Sequence, residues 1–153
     1  MNQGRDDPAL RQYKSTINIM LKLEVVTPER KVIDAEVDSV TVPTASGEAG
    51  IMNDHAPLIS ALKPGVLTVT TKGNIEKLAV STGFVEVSHN QVSVLTDVAD
   101  TADEINADQA KSERAEIEKE LATLSTAAIE ETEAVRERLE LANARIAVAA
   151  SKY

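Results

Sequence analysis

The sequence predicts an all-β N-terminal sandwich of about ten short antiparallel strands, followed by a C-terminal α-helical hairpin. Up to about residue 100, short apolar runs alternate with turn signals, which is typical of an antiparallel sandwich or barrel. Beyond Gly83 the chain contains neither glycine nor proline, so no strong helix breaker follows. These two observations place the sandwich at residues 20–102 and the two-helix hairpin at residues 103–153.

The strands are predicted from alternating apolar residues and from the turns between them. Leu21, Leu23 and Val25 alternate with charged residues, which is the period of a half-buried strand. Pro43 is expected to close a strand because proline donates no hydrogen bond, and the glycine-containing segment 45–50 is expected to be a turn. The remaining strands are predicted at residues 32–37, 40–42, 51–52, 58–62, 66–70, 75–80, 84–87 and 92–95.

Three turns connect these predicted strands. Lys63-Pro64-Gly65 matches a type II turn, in which proline presets φ and glycine accepts a positive φ. Lys72-Gly73-Asn74 and Ser88-His89-Asn90 are predicted hairpin turns, and we expect His89 to be solvated. No long helical pattern separates the strands, so a βαβ fold is disfavoured.

Two helices are predicted after the last strand. Thr101 and Glu104 match a capping box, in which a hydroxyl caps the helix and a carboxylate three residues later bonds back. Apolar residues then recur at intervals of three and four, with a weak interruption at residues 125–128. We expect the two apolar faces to pack against each other in a seam formed by Ile117, Leu121, Leu124, Val135, Leu139, Ala142 and Ile146.

The predicted seam is narrow and contains alanine, so we expect it to contribute only a few kcal/mol. No glycine or proline forbids a continuous helix through residues 125–128. Such a helix of about 45 residues would reach nearly 70 Å, at about 1.5 Å per residue. A static hairpin is the simpler prediction, and a hairpin that opens is the alternative.

The composition excludes several classes of function. The net charge is −9, so the chain repels phosphate backbones and anionic lipid surfaces, and neither nucleic acid nor a membrane surface is an expected partner. Only 2% of the residues are aromatic, so the core must be aliphatic and base-stacking platforms are excluded. The absence of cysteine excludes disulfides and thiolate chemistry. No apolar run approaches the roughly 20 residues of a membrane span.

Residues 1–19 are polar and lack the apolar segment of a secretory signal. We expect them to form a disordered leader, or to reflect the choice of start site, because Met20 directly precedes the first strand. They are therefore left outside the predicted sandwich.

The residues predict no catalytic centre. Motifs for phosphate loops, dinucleotide binding, zinc proteases and α/β-hydrolases are missing. Asp54 and His55 are the pair that a small hydrolase would use as an oriented general base, but no nucleophile pattern accompanies them. Together with Asn53 they reproduce no metal-ligand spacing. We predict no catalytic, cofactor or metal site, and the hydrolase stays an alternative.

Four segments together resemble one known family. They are LEVVTPER at residues 23–30, GEAGIMNDHAPL at 47–58, LKPG at 62–65 and STGFVEV at 81–87. This pattern is similar to that of the epsilon subunit of the F-type ATP synthase, which is called delta in mitochondria. The resemblance covers residues 20–150.

The resemblance implies a non-catalytic rotor subunit of a proton-translocating ATP synthase. Such a subunit sits on the central stalk, binds the gamma subunit, touches the c-ring and couples ion flow to ATP synthesis. In bacterial and chloroplast members the helical hairpin can open and extend along gamma into the alpha/beta catalytic hexamer, which blocks ATP hydrolysis. The implied location is peripheral, on the cytoplasmic side of a bacterial inner membrane, with an organelle membrane as the alternative. The loop that faces the c-ring corresponds here to Glu48, His55, Ala56 and Pro57.

One departure from the family pattern lies on the last helix. Some family members bind ATP through a D-x-x-R-A motif on the last helix. The nearest segment here, residues 131–135, has Ala134 where the arginine is expected and Glu133 beside it, so tight ATP binding is not predicted. The charged residues of the helices are expected to form a solvated face, and the alternative is that Arg136, Arg138 and Arg145 pair with an acidic partner surface after release.

Without the resemblance, the sequence patterns support a different interpretation of the protein. It would be a stand-alone β-sandwich interaction domain with a helical dimerisation tail. Its two copies would associate through the apolar stripes that contain Leu121 and Leu139. The oligomeric state of the pure chain discriminates this alternative from a subunit of a larger complex.

Overall fold

The computed structural model describes residues 20–124, 126 and 128–152. The predicted leader, residues 1–19, lies outside the described residues. None of the helices in the described ranges is both long enough and apolar enough to cross a membrane. The strands are β1 Leu21–Val26, β2 Lys31–Val37, β3 Ser39–Thr44, β4 Gly47–Met52, β5 Leu58–Leu62, β6 Gly65–Thr71, β7 Asn74–Val80, β8 Gly83–Ser88, β9 Gln91–Thr96 and β10 Ala99–Thr101. The α-helices are α1 Ala107–Thr123 and α2 Ile129–Ala150.

The ten strands form one folded sheet, and a helical hairpin follows, as the sequence predicts. The strand order is β10-β7-β6-β3-β5-β8-β9-β1-β2, with β4 paired to β3. The pairings are antiparallel except for β1 and β9, which run parallel. The prediction of an entirely antiparallel sheet is therefore wrong at this pair. No tight turn joins β1 to β9, so connection length does not force them to be antiparallel.

The core is aliphatic, as the composition predicts. Leu21, Leu23 and Val25 of β1 have no exposed surface. In the parallel register, Leu23 lies beside Val92 and Val25 lies beside Val94. Alternate residues of each strand face inward, so the outward residues are left to make the surfaces of the sandwich.

Two of the predicted turns are tight two-residue hairpins. Lys72 and Gly73 have φ of 50° and 81°, and His89 and Asn90 have φ of 49° and 57°. Positive φ at both central residues is the type I′ geometry, whose twist matches that of the flanking strands. His89 is exposed in this turn.

The predicted end of β3 is wrong. Pro43 lies inside β3, opposite Glu48 of β4, and the turn between these strands consists only of residues 45–46. Proline removes a donor but keeps its acceptor, and the Pro43 carbonyl accepts from the Lys63 backbone N–H at 3.0 Å. The Thr44 hydroxyl donates to the carbonyl of Gly47, so the turn closes early and Gly47 begins a strand.

The predicted capping box is not formed. Thr101 ends β10, residues 102–104 form a 3₁₀ turn, and α1 starts only at Ala107. The Glu104 carboxylate is held by Arg30, so it does not bond back to the backbone of Thr101. The actual cap of α1 is Asn106, whose side-chain oxygen accepts from the Gln109 backbone N–H at 3.0 Å.

The predicted seam residues divide between two buried clusters. One lies within the hairpin and contains Ile117, Val135 and Ala142, with Leu121, Leu124 and Leu139 packed against it. Ile146 instead packs against a second cluster, which joins the hairpin to the sandwich. A pair between Arg138 and Glu120, with N···O at 2.9 Å, also links the two helices.

The second cluster attaches α2 to the outer face of β6 and β7. Ala144, Val148 and Ala149 are buried here, together with Ala79 of β7. The hairpin therefore rests on the sandwich through the C-terminal part of α2, whereas the other cluster involves residues of the two helices alone.

Candidate interaction surfaces

The outer face of β5, β8, β9 and β1 contains a patch of exposed and half-buried apolar residues. Ala61 lies opposite Phe84, Phe84 lies opposite Leu95, and Leu95 lies beside Val26. Ile59, two residues before Ala61, faces the same side of β5. Phe84 is 62% exposed and Ile59 is 77% exposed. We call these five residues, Val26, Ile59, Ala61, Phe84 and Leu95, the apolar face.

A shallow groove extends the apolar face toward the turn after β1. Its volume is about 700 Å³, and its lining includes Val26, Pro28, Leu62, Phe84 and Leu95. Exposed and contiguous apolar surface of this kind marks an interaction site more often than scattered apolar residues do. The helical hairpin covers a different part of the sandwich, so the apolar face has no cover within the described residues.

Gly83 makes the close approach of β8 and β9 possible. A Cβ atom at this position would overlap the Leu95 carbonyl oxygen and would lie 2.9 Å from Thr96 Cα. Because Phe84 and Leu95 belong to the same two strands, this approach sets the spacing of the apolar face.

The structure does not bring the four predicted c-ring residues into one loop, so that part of the prediction is wrong. Glu48 is an exposed residue of β4, next to the turn at residues 45–46. His55, Ala56 and Pro57 follow the other end of β4. The four residue steps from Glu48 to Met52 span about 13 Å in a strand, so Glu48 and His55 lie at opposite ends of the sandwich.

The segment with His55 is held by hydrogen bonds between backbone groups and side chains. Asp54 has a φ of 63°, and its backbone N–H donates to Asn90 Oδ1 at 2.7 Å. His55 Nδ1 lies 2.7 Å from the Ala56 carbonyl oxygen. In a hydrolase, a carboxylate would orient this nitrogen. The geometry therefore gives no support to the Asp54–His55 pair as a general base.

A cluster of ion pairs joins the sandwich to the segment that leads into the helices. Arg30, which follows the turn after β1, places its terminal nitrogen 2.7 Å and 2.6 Å from the two carboxylate oxygens of Glu104. The Thr101 hydroxyl donates to the same carboxylate. The hydrogen bond from Arg30 lowers the pKa of Glu104 and raises the pKa of Arg30. The contribution of this contact to stability is therefore fully present above the ordinary pKa of a glutamate, and it is lost as the pH falls through the lowered pKa of Glu104.

Arg145 of α2 forms the second part of this cluster. Its Nε lies 2.7 Å from Asp100 Oδ2 of β10, and its Nη1 lies 3.7 Å from Glu113 Oε2 of α1. The three arginines of α2 that were considered as contacts for an acidic partner therefore differ in their ion pairing. Arg138 and Arg145 are already paired, whereas Arg136 has no ion pair with another described residue.

The comparisons with known proteins agree with this architecture. Residues 20–102 match the family described as ATP synthase, Delta/Epsilon chain, beta-sandwich domain. The chain belongs to the ATP synthase delta/epsilon family. It is 39% identical over 131 residues to the ATP synthase epsilon chain of Gloeobacter violaceus, covering 84% of this chain and 96% of that one. It is 45% identical over 100 residues to the epsilon chain of Desulforamulus reducens, covering 65% of this chain and 76% of the relative.

Solved structures share the fold of this delta/epsilon chain. A chain in the cryo-EM structure of Euglena gracilis mitochondrial ATP synthase, OSCP/F1/c-ring, superposes with a TM-score of 0.72 at 21% identity, covering 86% of this chain and 82% of that one. A chain of the central stalk and c-ring of Tetrahymena thermophila mitochondrial ATP synthase superposes with a TM-score of 0.59 at 14% identity, covering 84% and 95%.

Proposed function

We propose that this chain is the epsilon-type rotor subunit of the central stalk in a proton-translocating F-type ATP synthase. It couples ion flow through the c-ring to ATP synthesis by binding the gamma subunit, and it performs no chemistry itself. The observation that carries this proposal is a broad apolar face left exposed on a sandwich of the delta/epsilon family. A face of this kind serves a protein partner rather than a reaction.

The gamma subunit is the partner that we assign to the apolar face. One row of the face combines the aromatic Phe84 with aliphatic side chains, and the next row places Ile59 beside Glu86 and also contains Glu24. An apolar centre with a polar rim is the usual arrangement of a protein interface. The face lies away from the attachment of α2, so gamma can bind whether or not the helices are docked.

A single substitution tests this assignment. Phe84→Glu places a charge at the centre of the apolar face and should weaken binding to isolated gamma by about 30-fold or more. Ile75→Glu is the matched control, because Ile75 is equally exposed at 66% but lies on β7, outside the face. Binding is measured by titration of labelled gamma, with thermal unfolding to verify the fold. Equal affinities of the two variants would refute the docking site.

The second part of the proposal is that the helices inhibit ATP hydrolysis by extending into the alpha/beta hexamer. The small seam between α1 and α2, with three buried residues, supports a hairpin that opens at modest cost. Removing residues 107–153 deletes both helices and keeps Glu104 in contact with Arg30. The complex with this variant should hydrolyse ATP several-fold faster than the complex with the full chain. An unchanged rate would contradict inhibition and leave the coupling role intact.

The remaining expectations follow from the same proposal. The complex is peripheral to its membrane on the cytoplasmic side, in a bacterial inner membrane or the equivalent organelle membrane. The segment 131–135 offers carboxylates and no arginine, which supports the absence of tight ATP binding.

The alternative of a helical dimerisation tail is less well supported. The stripes that contain Leu121 and Leu139 already pack against each other within one chain. A partner copy would have to displace this contact, and sedimentation velocity of the pure chain distinguishes the two cases.

A further inference from the structure

The attachment of the hairpin to the sandwich is built mostly from small side chains. Four of the six buried residues in the cluster are alanines, namely Ala79, Ala110, Ala144 and Ala149. Alanine buries little apolar area, so each contributes much less than a leucine or a valine would. Polar contacts therefore contribute a large part of the free energy that favours the docked position of α2 over the released one.

Arg145 makes polar contacts with both of the elements against which α2 packs, the sandwich and α1. It lies on α2, and it reaches Asp100 on the sandwich and Glu113 on α1. One side chain thus ties together the three elements that must separate on release. Arg145 and Asp100 are only 27% and 24% exposed, which limits the screening of their attraction by solvent.

The pair of Arg30 with Glu104 has a different effect. Glu104 precedes α1, so the pair fixes the exit of the chain from the sandwich, and neither of its residues belongs to α2. The same cleft, of about 410 Å³, contains Arg30, Glu104, Asp100 and Arg145. The exit segment can therefore stay fixed while α2 leaves.

We propose that Arg145 is an ionic latch, which holds α2 on the sandwich through Asp100 and Glu113 and sets the fraction of chains whose hairpin is released. Release of the latch exposes the arginine together with the apolar side of α2. This inference rests on the proposed function in one respect, because release of the hairpin is the step that inhibition requires. Docking and release are nevertheless properties of the chain alone, so they can be measured without the rest of the complex.

The test uses spin labels on the full chain. The chain has no native cysteine, so Glu36→Cys on β2 and Glu140→Cys on α2 provide one labelled pair at two exposed sites away from the latch. Pulsed dipolar spectroscopy then reports the ratio of released to docked hairpins. The variants are Arg145→Gln, Asp100→Asn and their combination. The matched control is Arg136→Gln, which removes the same charge from the same helix at an exposed position.

The latch predicts a specific pattern of results. Arg145→Gln and Asp100→Asn should each raise the ratio about fivefold or more, the double variant should not exceed Arg145→Gln, which already removes both contacts, and the control should leave the ratio unchanged. Raising the salt from about 50 to 500 mM should also release the unmodified chain. The proposal is overturned if Arg145→Gln behaves like Arg136→Gln, if the two single effects add, or if salt has no effect.

A second readout separates this inference from the proposed function. If Asp100→Asn releases the hairpin of the isolated chain but the assembled complex hydrolyses ATP at an unchanged rate, the latch stands and the inhibitory role fails. If the labelled pair shows no release in any variant, the latch itself fails.

Discussion

Because Gly83 has no Cβ atom, β8 and β9 can pair closely, and this pairing sets the spacing of the apolar face. Its neighbours Phe84 and Leu95 are the large side chains of the apolar face, and they lie opposite each other because β8 and β9 pair closely. A methyl group at position 83 would collide with the backbone of Leu95, and a backbone atom cannot rotate away as a side chain can. The sequence segment STGFVEV therefore combines a steric requirement with the residue that presents the face.

This steric requirement leads to a prediction with an internal control. Gly83→Ala should destabilise the chain by about 2–4 kcal/mol, because β8 must move away from β9 to admit the methyl group. Gly50→Ala makes the same chemical change in β4, where the added atom meets nothing within 4 Å, and should shift stability by less than about 1 kcal/mol. Urea unfolding monitored by circular dichroism gives both values. Equal midpoints for the two variants would show that β8 and β9 are not in the described contact.

At the scale of elements, the sequence predicts the strands and helices well because their periodicities are strong. The inward residues of β1 and β9 alternate regularly, and the apolar residues of α1 and α2 recur at helical spacing. Boundaries are predicted less well where a side chain has a distant partner. Glu104 fits a capping box locally, but its partner Arg30 is 74 residues away in the sequence.

The sequence contains a signal for the apolar face, but a search for alternating apolar and polar residues does not reveal it. Val25-Val26, Phe84-Val85 and Val94-Leu95 are consecutive apolar pairs, so these strands have an apolar residue on each side. A strand with one buried and one solvated side needs only one residue of each pair to be apolar. Knowing that three such pairs lie side by side requires the strand order, which local patterns do not contain.

At the scale of the whole molecule, the sandwich has two different ends. The turn at residues 45–46 and the segment Lys63–Pro64 lie at one end, where Lys63 bonds to Pro43. The segment with His55 and the two type I′ turns lie at the other, where Asp54 bonds to Asn90. Glu48 belongs to the first end and His55 to the second, so a partner that meets one end of the sandwich meets only one of these residues.

This separation makes the contact with the c-ring testable by crosslinking. A single cysteine is introduced at Glu48 or at His55 of this chain, which has no native cysteine, and a second one is introduced in the c-ring. Only one of the two positions should crosslink in the assembled complex, because β4 holds them about 13 Å or more apart along the sandwich. Lys63→Cys should behave like the Glu48 position and Lys72→Cys like the His55 position, since each is exposed at the corresponding end. Comparable yields from both ends would contradict end-on docking and would favour a partner that lies along the side of the sandwich.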